Sequence, residues 1–150
     1  MGLIVKGLKN VMARISRSEK RVMDGSLSAL RAMAELVRDE ARLNAPIDTG
    51  DLEGAIETFE DRTRNSKGQF GQVTIRVGVD TSKLKLEDHA GYDYSIPMHE
   101  GIYNLGPKSE AKQERQGNIV GAKYLERALK DNEKKVRASV AKAIEEGARG

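Results

Sequence analysis

The sequence predicts an α+β domain: long helices packed on a small antiparallel sheet, with an extended loop and a C-terminal helix. Three observations carry that expectation. Apolar residues recur at three- and four-residue spacing near both ends of the 150-residue chain. Between them, Val73, Ile75, Val77 and Val79 alternate with Thr74, Arg76 and Gly78, the period of a half-buried strand. The strands are thus grouped between helices and do not alternate with them, which separates α+β from α/β.

In chain order, Leu3, Ile4, Leu8, Val11, Met12 and Ile15 predict an amphipathic helix over 3–16, with Lys6, Lys9 and Arg14 on its other face. Residues 1–22 hold six basic side chains against Glu19 alone, a net +5, whereas the whole chain is +3 and the remainder is therefore −2. They are read as a basic N-terminal helical arm, residues 23–150 as a single domain. Asp24-Gly25-Ser26 interrupts the pattern, and Ser26 is a suitable N-cap for a second helix whose stripe is Leu27, Leu30, Met33, Ala34, Val37 and Ala41. That helix stops at Asn44, because Pro46 disfavours helical backbone at Ala45 and lacks a donor. Pro46, Asp48, Thr49 and Gly50 then form a structural turn. Residues 55–61 and 72–79 read as a hairpin, and Tyr92, Tyr94 and Ile96 as a third strand ending at Pro97. Residues 101–121 read as a long polar loop anchored by Ile102, Tyr103 and Leu105. Tyr124, Leu125, Ala128, Leu129, Asn132, Val136, Val140, Ala143 and Ile144 define the last helix, with Gly147 near its end.

Composition narrows the chemistry. Only 4% of residues are aromatic and a third are charged, so the core is modest for the chain length. Absence of cysteine excludes disulfides and thiolate-bound zinc and fits a reducing compartment. No apolar run approaches the ~20 residues of a membrane span, and the first residues suit neither a signal peptide nor myristoylation. No phosphate-binding glycine loop and no Gly-x-Ser-x-Gly elbow occurs. His89 and His99, with Asp88, Asp93 and Glu100, form the one constellation able to hold a metal. Its spacing matches no helical metal motif, and histidines bonded to backbone or water are the commoner reading. His99 with Glu100 could serve as an acid–base pair, but no nucleophile accompanies it. The expectation is a non-enzyme without metal, cofactor or membrane. A basic nucleic-acid-binding or regulatory protein is the alternative, resting on the arm, which contains no aromatic residue for stacking.

Asn44-Ala45-Pro46-Ile47-Asp48-Thr49-Gly50-Asp51-Leu52 resembles the A-P-hydrophobic-D/R-T-G-x-L signature of small phage tail-component proteins of the HK97-like tail completion type. Tyr94-Ser95-Ile96-Pro97-Met98-His99-Glu100-Gly101 is similar to that family's middle segment. Gly121 to Leu129 is similar to the entry to its last helix. Two departures stand out: Gly101-Ile102-Tyr103 replaces an aromatic-Gly-Thr, and Tyr124 replaces a phenylalanine. The resemblance implies a structural virion protein, made in the bacterial host cytoplasm and located at the head–tail junction of a long-tailed phage. Its partners would be copies of itself, in a hexamer or other ring, and neighbouring neck, connector, terminator or tail-tube proteins, with DNA nearby. It implies neither catalysis nor a cofactor.

Such a subunit needs contact surfaces. Lys6, Lys9, Arg14, Arg17, Ile102, Tyr103, Leu105 and Tyr124 are the expected assembly contacts. An unpaired edge of the strand at 72–79 or near Tyr92 would accept a neighbour. The arm and the 101–120 loop are expected to order on docking, and deletion of 104–118 is expected to leave a folded monomer.

Overall fold

The computed structural model describes residues 2–6, 17–64, 66 and 70–150. The architecture is α+β. Strand β1 (Gly2–Lys6) precedes helix α1 (Arg17–Asn44), the short helix α2 (Asp51–Ala55) and the hairpin strands β2 (Ile56–Arg64) and β3 (Phe70–Val79). Two 3-10 turns (Thr81–Lys83 and Leu86–His89) lead to helices α3 (Ser95–Glu100), α4 (Pro107–Gln116) and α5 (Tyr124–Arg149).

The sheet is antiparallel in the order β1-β3-β2. Cross-strand partners share a face, and the register places Thr58 opposite Val77 and Glu60 opposite Ile75. Ile75, Val77 and Ile56 turn inward to meet Leu30, Ala34, Val37 and Ala41 of α1 and Leu125, Ala128 and Val136 of α5 in one core. Full burial of side chains such as Val37, Ile56, Ile75 and Leu125 stabilises by roughly 1.5–3 kcal/mol each. On the α1–α5 seam, buried Asn132 donates to the Glu40 carboxylate at 2.6 Å and to Ala128 O at 2.9 Å, so its amide is satisfied in the core.

Several expectations are corrected. Residues 3–6, expected as helix, are strand: Leu3 pairs with Val77 and Val5 with Ile75. The β-branched Ile4 and Val5 suit a pleated edge better than a helix. The rest of that expected helix, with Lys9 and Arg14, lies outside the described residues. Strand β3 offers no free edge, since β1 and β2 flank it. Helix α1 begins at Arg17 and runs through Gly25 and Ser26, across the expected arm–domain boundary. Ser26 is therefore no cap; its hydroxyl turns back on Val22 O at 2.6 Å, the usual recourse of a mid-helix serine. The expected third strand is absent, because Asp93 accepts from Ser95 N and Oγ and starts α3, where Pro97 sits harmlessly in the first turn.

The hairpin is tied to α1 by a two-pronged ion pair, Arg31 Nε and Nη2 to the Glu60 carboxylate at 2.7 and 2.9 Å. With Arg31 foremost and Arg62 adding to it, the Glu60 pKa falls from 4.5 to about 2. A carboxylate lowered in the folded state stabilises above its unfolded pKa and loses that contribution as pH falls through the folded one. Solvent screening keeps the pair to at most about 1 kcal/mol. Glu60→Gln should cost that amount at neutral pH and nothing near the folded pKa of about 2, measured by urea titration across pH.

Candidate assembly surface at the end of helix α1

The sequence ends α1 at Asn44 and leaves its last carbonyls without helical partners. The segments gathered at this end of the protein are held there largely by bonding those groups. Ala45 N still donates to Ala41 O at 2.9 Å, and Pro46 then turns the chain away. Gly50 adopts φ 94°, a left-handed value that costs glycine little, and leads into α2. Thr49 Oγ1 donates to Asp51 Oδ2 at 2.7 Å and, ahead of Lys85, holds the Asp51 pKa down.

The open carbonyls are taken by α4, a helix inside the expected loop. It starts at Pro107 and stops at Gly117, φ 71°, the usual N- and C-terminal punctuation. Lys112, with 4% of its side chain exposed, donates from Nζ to Arg42 O at 2.6 Å, Ala45 O at 2.9 Å and Glu53 Oε2 at 2.8 Å. Ser109 Oγ accepts from Ile47 N at 2.9 Å and donates to Ile47 O at 3.1 Å. Gln116 donates to Leu43 O at 2.6 Å. Helix α4 is thus a polar clasp on α1. The deletion expected to spare the monomer would remove these bonds, so that expectation is withdrawn.

The three segments that carry the resemblance converge here. Gly121 N donates to Asn44 O at 2.9 Å, and Lys123 N to His99 O at 2.7 Å. The His99 ring meets Tyr124 edge-on at 4.9 Å between centroids, and Tyr124 OH donates to Ser95 O at 3.2 Å. Burial pushes the Tyr124 hydroxyl pKa strongly up. Tyr124 is 0% exposed, so it is a core residue and its assignment as an assembly contact is corrected. Tyr124→Phe should cost about 1 kcal/mol by leaving Ser95 O short of a donor, read as a lower urea midpoint at unchanged slope.

His89 and His99 face different surroundings. His89 is exposed and packs at a tilt of 54° against the Tyr94 ring, 4.5 Å between centroids. His99 is buried and contacts Glu100 Oε1 through Nδ1 at 2.8 Å, while Nε2 has no partner among the described residues. Glu100 also binds Lys123, which more than His99 lowers its pKa. Among the described residues, no group of three His, Cys, Asp or Glu stands together as metal ligands would.

Residues 9–94 match the family described as "Bacteriophage HK97-gp10, putative tail-component". The chain belongs to this family. Its role is therefore that of a structural component of a phage tail, located in the virion and in contact with other phage structural proteins. The match contains the Pro46 block and ends at Tyr94, so the other two blocks lie at or beyond its end. Among curated proteins and solved structures, none matches the chain. No helix among the described residues is long and apolar enough to cross a membrane.

For a tail component the informative surface is apolar and exposed. Ile102 is fully exposed, Ile119 is 70% exposed, and Leu43, Tyr92 and Ile96 are exposed as well. All five belong to the segments that meet around the end of α1. Of the other expected contacts, Tyr103 is half-buried, donating to Met98 O at 2.7 Å, and Leu105 is half-buried. Lys6 ends β1 and Arg17 begins α1. Sequence reasoning missed Ser109, Lys112 and Glu53; Pro107 and Gly117 at helix-start and helix-stop positions were the signal that could have found α4.

Proposed function

We propose that this tail component is a ring subunit of the head–tail junction, in the neck or tail completion region, and that the end of α1 is its principal contact face. The observation that carries this is that the large apolar side chains exposed among the described residues, Ile102, Ile119, Ile96, Tyr92 and Leu43, lie in the end of α1 and in residues 92–119, a stretch whose α4 is hydrogen-bonded to that helix end. Exposed apolar groups collected in this way mark interaction sites. A ring subunit must offer two different surfaces, since heterologous contacts close a ring when the rotation permits. The nucleic-acid-binding alternative rests on arm charge alone, and family membership favours the structural role.

The test is complementation of a phage lacking this gene. Loss should yield filled heads and tails that do not join, and the wild-type gene should restore joined particles. Ile102→Asp with Ile119→Asp should fold within about 0.5 kcal/mol of wild type, as exposed substitutions do, yet fail to restore joining. Normal joining with that double variant would reject the face.

A further inference from the structure

Residues 102–120 form a unit set apart from the body of the protein. Its roots lie together: just outside them Lys123 N donates to His99 O at 2.7 Å, and Gly101 and Gly121 stand at the two ends. None of its residues belongs to the hydrophobic core. Some of its ties are internal, since Val120 N donates to Gln113 Oε1 at 3.0 Å. Its two limbs also meet at the roots, where a Cβ on Gly121 would touch Leu105 Cδ2 at 3.5 Å. Joined ends and a segment that packs on itself are the form of an Ω-loop.

The seam between this unit and the body is polar and incompletely filled. Helix α4 carries no large apolar side chain and buries only Ser109 and Lys112; a helix polar on all sides draws little stability from packing. Beside it an open cavity of about 690 Å³ is walled by Pro46, Leu52 and Met98 from the body and by Tyr103 and Leu105 from the unit. Ile102 and Ile119, the most exposed of the large apolar side chains among the described residues, stand one at each end of the unit. Few apolar contacts and many replaceable hydrogen bonds mark an element that opens before the core does. Opening would free both halves of one contact. These are the oxygens Arg42 O, Ala45 O and Glu53 Oε2, and the Lys112 ammonium that fills the cage they form.

We infer that in the assembled ring residues 102–120 are exchanged between copies, with Lys112 of one copy seated among Arg42 O, Ala45 O and Glu53 Oε2 of the next. The bonds themselves name the occupant, because a second copy carries the same donors at the same spacing. Exchange conserves those bonds and adds the burial of Ile102 and Ile119 against the neighbour, which favours the exchanged form once copies are held side by side. Unit and cage are different surfaces, so the contact is heterologous and repeats around a ring. This deepens the proposed function and rests on its claim of self-assembly.

Asp48 and Lys108, an exposed pair 3.2 Å apart across the seam, supply the test sites, because the chain has no cysteine. Full-length Asp48→Cys and Lys108→Cys are mixed, left to assemble and treated with a short bis-maleimide. The cross-linked heterodimer should form about tenfold more than when Lys134→Cys, at an exposed position on the middle of α5, replaces Lys108→Cys. The chain carrying both substitutions, cross-linked within itself at high dilution, cannot open and should lose about tenfold or more in oligomer yield by light scattering. The same chain with both cysteines capped by ethylmaleimide should assemble as wild type does. Exchange is overturned, while self-assembly stands, if oligomers form but the mixture yields no more heterodimer than the Lys134→Cys control. It is overturned equally if the locked chain assembles as well as the capped one. If the wild-type chain forms no oligomer, both fall.

Discussion

Lys112→Ala should lower the unfolding free energy by about 3 kcal/mol. A buried ammonium is tolerated only when its donors are all used, and Lys112 Nζ spends its three on Arg42 O, Ala45 O and Glu53 Oε2. Removing it leaves two carbonyls at the end of α1 without their donor and a half-buried carboxylate without its partner. Hydrogen bonds to a charged group are worth about 1.5–3 kcal/mol net, and losing one partner of a buried pair costs about 3–5 kcal/mol. Glu53 retains some water, which places the cost at the lower end of that range. Glu53→Gln should cost about 1 kcal/mol, because the carbonyls keep their donor. For a domain of this size the lysine variant should melt about 6–12 °C lower. A loss under about 0.5 kcal/mol would mean that water replaces the ammonium at the helix end without penalty.

Gly147→Ala should cost about 2 kcal/mol even though alanine is the better helix former by about 1 kcal/mol. A Cβ at Gly147 would stand 2.7 Å from Val22 Cα and 2.9 Å from Val22 N. Those are backbone atoms of the facing helix, so no side chain can swing away and α1 and α5 must separate. Gly25 on the same seam gives the control, since its Cβ would meet only Ala143 O at 3.6 Å, an ordinary contact. Gly25→Ala should therefore stabilise, by up to about 1 kcal/mol. Two glycine-to-alanine changes in one helix pair should move the urea midpoint in opposite directions. Equal shifts of either sign would show that the seam does not depend on close backbone approach at Gly147.

Where the fold was legible in the sequence, local period and burial agreed. Leu30, Ala34, Val37 and Ala41 form the buried stripe of α1, Ile75 and Val77 the inner face of β3, and Leu125, Ala128 and Val136 that of α5. The turn at Pro46 and Gly50 was legible for the same reason, because each residue carries its backbone preference with it. Helix α4 was not legible from apolar spacing: the residues it buries are Ser109 and Lys112, and its attachments are hydrogen bonds to a segment about 60–70 positions away. Tyr94 and Ile96 alternate as a strand would, but the side chain of Asp93 starts a helix there. Tyr124 shows the limit of reading a role from residue type, since the aromatic expected at an interface fills the core. The candidate surface required three distant segments brought to one helix end, and only the tertiary fold shows that juxtaposition.

On the reading proposed above, the protein works by seating its α1 end against neighbours in the virion. Cryo-electron microscopy of the intact particle, with this subunit placed in the density, examines that seating without an intermediary. The expected image is a closed ring at the head–tail junction in which Ile102 and Ile119 of each copy are buried against an adjacent protein. Particles that lack the subunit, or a placement in which that end faces open solvent, would contradict it.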